Sequence, residues 1–148
     1  MHFRGPRQGA ALAIVLALSG LAGADNGTQS TEMGAYARGA LVYERCAACH
    51  ALDTDRTGPR HCGLIGRRAG SVPGFAYSPA MRRSKMVWTE ANLDRFLKSP
   101  VTTIPGTAMG YDGIKDDRER HDLIVYLREA SREAKCQALL TNTGKPIK

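Results

Sequence analysis

The sequence predicts an all-α fold of about three to five short helices joined by long loops. Two segments place apolar side chains at the spacing of one helix face. These side chains are Leu93, Phe96 and Leu97 in the first segment, and Leu123, Ile124, Leu127 and Ala130 in the second. Seven glycines and prolines lie between Asp53 and Pro79, a composition typical of a loop that wraps around something.

Length and charge limit the class of protein. The 148 residues suit one domain. No apolar run reaches the roughly 18 residues that a bilayer-spanning helix needs, which excludes a multi-span membrane protein. Lys and Arg total 21 against 14 Asp and Glu, and the net charge of +7 favours acidic partners in general without identifying one.

Residues 1–24 have the pattern of a secretory signal peptide. A positively charged start is followed by an apolar run from Ala10 to Leu21 and by Ala22-Gly23-Ala24, which forms an A-x-A cleavage site. An uncleaved membrane anchor is the alternative, but a run of about 12 residues is short for a span. We therefore expect cleavage after Ala24 and a periplasmic protein.

The lead-in over residues 25–36 is small and polar, so we expect it to be flexible. A first helix is predicted from Ala35 to about Ala48. Ser78 and Pro79 favour the start of a second short helix that reaches about Arg83.

The third helix is predicted to begin after the cap Thr89 and to stop before Pro100. Residues 101–114 are expected to form a loop. Asp116 and Glu119 resemble a capping box for a last helix that continues to about Lys135. Residues 137–148 are then a tail.

The motif Cys46-Ala47-Ala48-Cys49-His50 carries the chemistry. In an exported protein, C-x-x-C-H indicates covalent attachment of a c-type haem. Two thiols about one helical turn apart can each bond a vinyl group, and the adjacent histidine can ligate the iron. The alternatives are a Cys46–Cys49 disulfide, a thioredoxin-like redox pair or half of a zinc site. The sequence shows neither a second zinc-ligand pair nor a βαβ setting, so it predicts one haem c per chain, bound through Cys46 and Cys49.

The sixth iron ligand has several candidates. His61 follows His50 so closely that we expect it on the same side of the porphyrin, and His121 lies among charged residues on a solvated helix face. Met109 is favoured because the stiff loop from Ile104 to Gly110 places its thioether between two helices. The full set of candidates is Met33, Met81, Met86, Met109, His61 and His121.

Several further stretches match a known pattern in order along the chain. They are Gly39 to His50, Gly58-Pro59, Gly63 to Arg67, Pro73 to Tyr77, Val87-Trp88, Ile104 to Met109 and Asp122 to Leu127. With these stretches the chain resembles the class I c-type cytochromes, especially mitochondrial-type cytochrome c and its bacterial relatives. The resemblance implies a small cytochrome c fold over residues 37–136, wrapped around one covalently bound haem.

The resemblance also implies roles for single residues. The carbonyl of Pro59 would orient His50, and Thr107 would steady the side of the site that holds Met109. Three side chains would point toward a buried haem propionate: Arg67, Tyr77 and Trp88. The chain departs from the family at Val101, Thr102 and Ala108, where relatives that dock on acidic partners carry lysines. This departure weakens the expectation of an acidic docking partner.

Cys62 and Cys136 are left after the haem takes two cysteines. An even remainder in an exported protein suggests a disulfide, and the resemblance would bring the two segments together. Two buried or reactive free thiols are the alternative.

The resemblance implies a soluble exported electron carrier with a single His/Met-ligated haem, and not an enzyme. Its partners would be redox proteins: a donor such as a cytochrome bc-type complex or a dehydrogenase, and an acceptor such as an oxidase or a reaction centre. We expect a monomer without stable membrane insertion.

One alternative is a small peroxidase or haem-ligand binder whose sixth position opens. Another is a nucleic-acid or membrane-surface module that uses basic runs such as Arg82-Arg83, although no interleaved aromatics support stacking, and we expect no nucleic-acid partner.

Overall fold

The structure, a computed structural model, describes residues 1–2 and 25–142, and six α-helices lie in that part of the chain. They are α1 (Asp25–Tyr43), α2 (Pro79–Arg83), α3 (Glu90–Lys98), α4 (Pro100–Thr103), α5 (Asp117–Ala130) and α6 (Ala134–Asn142). The described residues contain one isolated antiparallel bridge, Arg68 with Val87. The fold is therefore all-α, as predicted.

Most of the predicted signal peptide, together with residues 143–148 of the predicted tail, lies outside the described residues. None of the helices in the described part of the chain combines the length and the apolar character needed to cross a membrane.

The expectation that residues 25–36 form a flexible lead-in is wrong, because α1 already begins at Asp25. Contacts with the far end of the chain hold this segment. Ala35 is buried, and the Tyr36 ring packs against the tilted Tyr126 ring with 5.2 Å between ring centroids. The Tyr36 hydroxyl also donates to a Glu133 carboxylate oxygen at 2.7 Å. The helix therefore extends further toward the N-terminus than its apolar pattern indicated.

Two of the six helices in the described part of the chain, α4 and α6, were not predicted from the sequence. Pro100 takes the first position of α4, and the Ile104 N–H donates to the Pro100 carbonyl at 2.9 Å. The expected last helix is interrupted after Ala130, where the Ser131 hydroxyl donates to the Leu127 carbonyl at 2.9 Å. The first part of the expected tail then forms α6.

The helix starts at α2, α3 and α5 are as predicted. Side-chain oxygens of Ser78, Thr89 and Asp116 accept hydrogen bonds from the N–H groups of Met81, Asn92 and Glu119. The first helix, by contrast, ends at Tyr43 rather than near Ala48, and turns carry the chain to residue 49.

Helices α1 and α5 cross at close range, and α3 packs beside α5. Gly39 makes the crossing possible, because a Cβ at this position would lie 2.0 Å from the Asp122 carbonyl oxygen. The buried core runs from this crossing through Leu93, Phe96 and Leu123. Side chains of the long loop of residues 50–78, among them Leu52 and Leu64, pack into the same core.

Cys62 in the long loop and Cys136 in α6 are joined as a disulfide in the structure, with their Cα atoms 5.1 Å apart. Both residues are almost fully buried. The pairing brings α6 against the loop that follows Pro59.

Candidate haem-binding site

One deep cleft opens between the turns after α1, the long loop, α3 and the loop after α4. It holds about 1030 Å³ of space, including its open mouth. Six residues that the sequence predicted for the site line it: Cys46, Cys49, His50, Pro59, Tyr77 and Met109. The sequence therefore identified side chains from four separate segments that the fold brings to one place.

Local hydrogen bonds present the three residues of the motif together. The N–H groups of Cys49 and His50 donate to the Cys46 carbonyl at 3.0 and 2.9 Å, which makes one helical turn. Neither Cys46 nor Cys49 is in a disulfide, and burial raises the pKa of the Cys46 thiol. Both thiols are consequently available for thioether bonds on the same turn that carries His50.

The His50 ring is fixed through Nδ1, which lies 2.7 Å from the Pro59 carbonyl oxygen. A carbonyl can only accept, so Nδ1 carries the proton and Nε2 keeps its lone pair for a metal ion. Burial lowers the pKa of His50, which favours the same neutral form. Gly58 lies against the ring, since a Cβ there would be 2.2 Å from Cε1.

Met109 lines the cleft on the loop that follows α4. Its N–H donates to the Thr107 hydroxyl oxygen at 3.3 Å, and the Tyr111 N–H donates to the Met109 carbonyl at 3.0 Å. Thr107 does not line the cleft itself, so its contact with this site is the one to the Met109 backbone. These hydrogen bonds fix the Met109 backbone on both sides of its side chain.

The other candidates for the sixth ligand are arranged less favourably. Met81 is buried and also lines the cleft, so it is the second thioether within reach. Met33 is 73% exposed on α1, and Met86 packs against the core outside the cleft lining. His121 points outward beside Asp122, with its side chain 70% exposed. His61 lies beside His50, with 4.3 Å between ring centroids.

Arg67 and Trp88 do not line the cleft, although Arg67 interacts electrostatically with Tyr77, which does. The Arg67 guanidinium donates to the carbonyls of Cys62 and Arg60, each at 2.9 Å, while its buried Nε has no protein partner. Burial lowers the pKa of Arg67, as expected for a cation that lacks an anion. The backbone N–H of Trp88 donates to the Arg67 carbonyl at 2.9 Å, which fixes the two residues side by side.

The donor set of the cleft fits a haem. It offers paired thiols, an imidazole with a free Nε2, a thioether and walls that include Phe96, Leu97 and Met81. The buried Nε of Arg67, which has no protein partner, suits an anionic group such as a propionate.

Comparison with known proteins agrees with this geometry. Residues 36–131 match the family model described as cytochrome c. The chain belongs to the cytochrome c family. It is 43% identical to cytochrome c type-1 of Ascaris suum over 103 residues. This alignment covers 68% of this chain and 92% of the relative. It is also 38% identical to cytochrome c-550 of Nitrobacter winogradskyi over 103 residues, in an alignment that covers 68% of this chain and 94% of the relative.

A solved structure extends the comparison to the fold. Cytochrome cH from Methylobacterium extorquens matches with a TM-score of 0.62 and 35% sequence identity, over 64% of this chain and 97% of that chain. As a member of the cytochrome c family, the protein carries one covalently attached haem c and is a single-haem electron carrier.

Some residues around the haem site had no predicted role. Gly58 was matched as part of a motif, but its contact with the His50 ring was not expected. Leu97 was predicted as core, and its helix spacing gave no sign that it also lines the cleft. The stacking of His61 on His50 was likewise not predicted, since it depends on the path of the loop after Pro59.

Proposed function

We propose that this cytochrome is an exported carrier of one electron at a time, with its haem iron held by His50 Nε2 and the Met109 sulfur. The observation that carries this proposal is the shared cleft, in which the Pro59 carbonyl holds His50 Nδ1 while Met109 is presented from a separate loop. Bound haem supplies a one-electron ferric/ferrous couple, whose potential rises when the group is buried and has a thioether ligand.

The protein's own contribution is to bury and orient the ligands. Phe96, Leu97 and Met81 exclude water from the inner wall of the cleft. The remaining predicted roles fit this arrangement: Arg67 Nε, Tyr77 and Trp88 would support a buried propionate, and Thr107 would keep the Met109 loop in place. No substrate is transformed in this scheme, because electron transfer requires only a haem edge near the surface.

Export to the periplasm is supported by the pattern of residues 1–24 and by the cysteine chemistry. A disulfide between Cys62 and Cys136 would persist in an oxidising compartment such as the periplasm. We include this disulfide in the proposal.

The partners would be redox proteins that approach the mouth of the cleft near Tyr111 and Arg45. Arg45 is not a free cation there, because it pairs with Glu119 at 2.7 Å. Val101, on the nearby α4, is 54% exposed and apolar. This surface suits a donor such as a cytochrome bc-type complex or a dehydrogenase, and an acceptor such as an oxidase or a reaction centre, without strong dependence on lysines. The protein would work as a monomer.

The ligand assignment is tested with Met109→Ala. We expect the variant to lose the weak far-red ferric absorption band of sulfur-to-iron ligation and to bind cyanide or imidazole readily, because its iron has lost the thioether. The measurement is the ferric spectrum of the purified haem protein with and without added ligand.

Two further variants make the test specific. Met33→Leu alters an exposed thioether and should leave the far-red band intact. Met81→Leu keeps the volume of the other methionine in the cleft and should also keep the band. Loss of the band in Met81→Leu, with retention in Met109→Ala, would overturn the assignment of Met109.

A further inference from the structure

His61 directly contacts His50, the proposed iron ligand. Its ring lies 4.3 Å from the His50 ring between centroids, and the two planes differ by 21°, which is a stacked arrangement. An exposed loop histidine would not be held in this stacked geometry, so other contacts must fix the ring.

His61 is fixed at its backbone and at its ring. The His61 N–H donates to the carbonyls of Ala51 and Leu52 at 3.1 and 3.0 Å, which ties it to the segment after His50. At the ring, Nδ1 lies 3.2 Å from the Tyr43 hydroxyl oxygen. The His61 ring is thus anchored to α1 as well as to its own loop.

Tyr43 is itself a rigid support. Its side chain is buried, and its ring lies 5.0 Å from the Tyr126 ring of α5 between centroids. The Tyr43 carbonyl also accepts a hydrogen bond from the Cys46 N–H at 2.8 Å. The same residue therefore supports the haem-attachment turn through its backbone and His61 through its hydroxyl.

Groups packed on the His50 ring help to set its plane. A metal bond at Nε2 would not by itself set that plane, which also depends on the torsion about the Cβ–Cγ bond of His50, on the hydrogen bond at Nδ1 and on the groups that contact the ring. His61 contacts the ring with a stacked side chain, and Gly58 contacts it with backbone atoms. Of these two contacts, the one from His61 is made by a side chain that a substitution can remove.

We propose that His61 is a positioning residue that sets the plane of the His50 imidazole, and that the Tyr43 hydroxyl locks His61 in its stacked position. This inference rests on the proposed function, in which His50 ligates the iron. It assigns His61 a role in the reduction potential and the electronic structure of the site without making it a ligand.

The test uses the intact haem protein and three variants. His61→Leu removes the ring, His61→Phe keeps a ring but loses the nitrogens, and Tyr43→Phe loses the hydroxyl and keeps the tyrosine ring. The readouts are the paramagnetically shifted haem methyl resonances of the oxidised protein, which depend on the orientation of the axial ligand planes, and the reduction potential. Tyr36→Phe removes another tyrosine hydroxyl on α1, one that bonds Glu133, and is the matched control.

We expect His61→Leu to change the spread of the methyl resonances and to shift the potential. Tyr43→Phe and His61→Phe should change the resonances in the same sense but by less, and Tyr36→Phe should leave them unchanged. Methyl resonances and potential that stay at their wild-type values in both His61→Leu and Tyr43→Phe would overturn the inference. If His61→Leu fails to incorporate haem, Tyr43→Phe decides the question alone.

The far-red sulfur-to-iron band separates the two proposals. Its absence from the wild-type protein would contradict the ligation by Met109 whatever the variants do. Its presence in wild type and variants, combined with unchanged methyl resonances, would leave the ligation standing and overturn the role of His61 alone.

Discussion

At the residue scale, the haem site shows which contacts local sequence can predict. Cys46, Cys49 and His50 were predictable because the chemistry of attachment needs them within one turn. The contact of Pro59 with His50 was expected from the resemblance and is present at 2.7 Å. The stack of His61 on His50 was not predictable, because it depends on the backbone path of a glycine-rich loop and on a hydroxyl 18 positions away in sequence.

Asp122 provides a residue-scale prediction about pH. Its carboxylate is buried on α5 and accepts from Arg38 Nε at 2.6 Å, with His121 Nδ1 at 3.3 Å. The Arg38 hydrogen bond holds the pKa of Asp122 below its ordinary value of 3.8. A lowered folded-state pKa stabilises the protein above the unfolded pKa, and this stabilisation is lost as pH falls through the folded value.

We therefore expect Asp122→Asn to reduce the free energy of unfolding by about 1–3 kcal/mol at pH 7. The difference from wild type should shrink as the pH falls from about 5 through the lowered pKa. Urea unfolding at a series of pH values measures it. Asp112→Asn, which changes an exposed loop carboxylate, is the control and should cost less than about 0.5 kcal/mol at pH 7. A difference for Asp122→Asn that stays constant down to pH 2 would contradict the account.

At the scale of elements, the start of α1 shows why sequence pattern falls short. Residues 25–36 lack an apolar stripe, so nothing local predicted a helix. The segment is held by Tyr126, Arg128 and Glu133, of which Glu133 is 97 positions from Tyr36. The caps of α2, α3 and α5, in contrast, are contacts within three residues and were predicted correctly.

The crossing of α1 and α5 predicts the effect of two glycine substitutions in one helix. In Gly39→Ala the new Cβ would lie 2.0 Å from the Asp122 carbonyl oxygen, which is backbone, so the helices must move apart. We expect a loss of at least about 2 kcal/mol in the free energy of unfolding.

Gly34→Ala is the matched control. Its Cβ would meet the far end of the flexible Arg38 side chain at 3.2 Å. Because alanine is the better helix former, this variant should gain about 0.5–1 kcal/mol. Thermal or urea unfolding of the two variants should therefore move in opposite directions. Equal effects of Gly39→Ala and Gly34→Ala would show that the crossing is not as close as the structure has it.

At the scale of the whole molecule, α6 and the disulfide close the fold. Cys62 and Cys136 are 74 residues apart and both buried, so a bond between them would close a long loop in the unfolded chain. Such a loop corresponds to roughly 4 kcal/mol in the chain-entropy model, and haem attachment within it should reduce this value. The pairing was expected from the resemblance, whereas the helical form of α6 was not, because its contact partner lies in a distant loop.

We expect the double variant Cys62→Ser with Cys136→Ser to lose about 2–4 kcal/mol in the free energy of unfolding while keeping its haem. Treatment of the wild-type protein with a reductant under unfolding conditions should have a comparable effect. Titration of the denatured, unreduced haem protein with a thiol reagent should find no free thiol. About two free thiols per chain would contradict the disulfide.

Low-spin iron held by His50 and Met109 is the central proposal, and the ferric absorption spectrum of the purified protein tests it directly. We predict a low-spin spectrum with the weak far-red band of sulfur-to-iron ligation, which disappears when Met109 is replaced, and haem that survives acidic organic extraction. A high-spin ferric spectrum, or one that changes readily on addition of small ligands, would contradict the electron-carrier account and favour an open, ligand-binding haem.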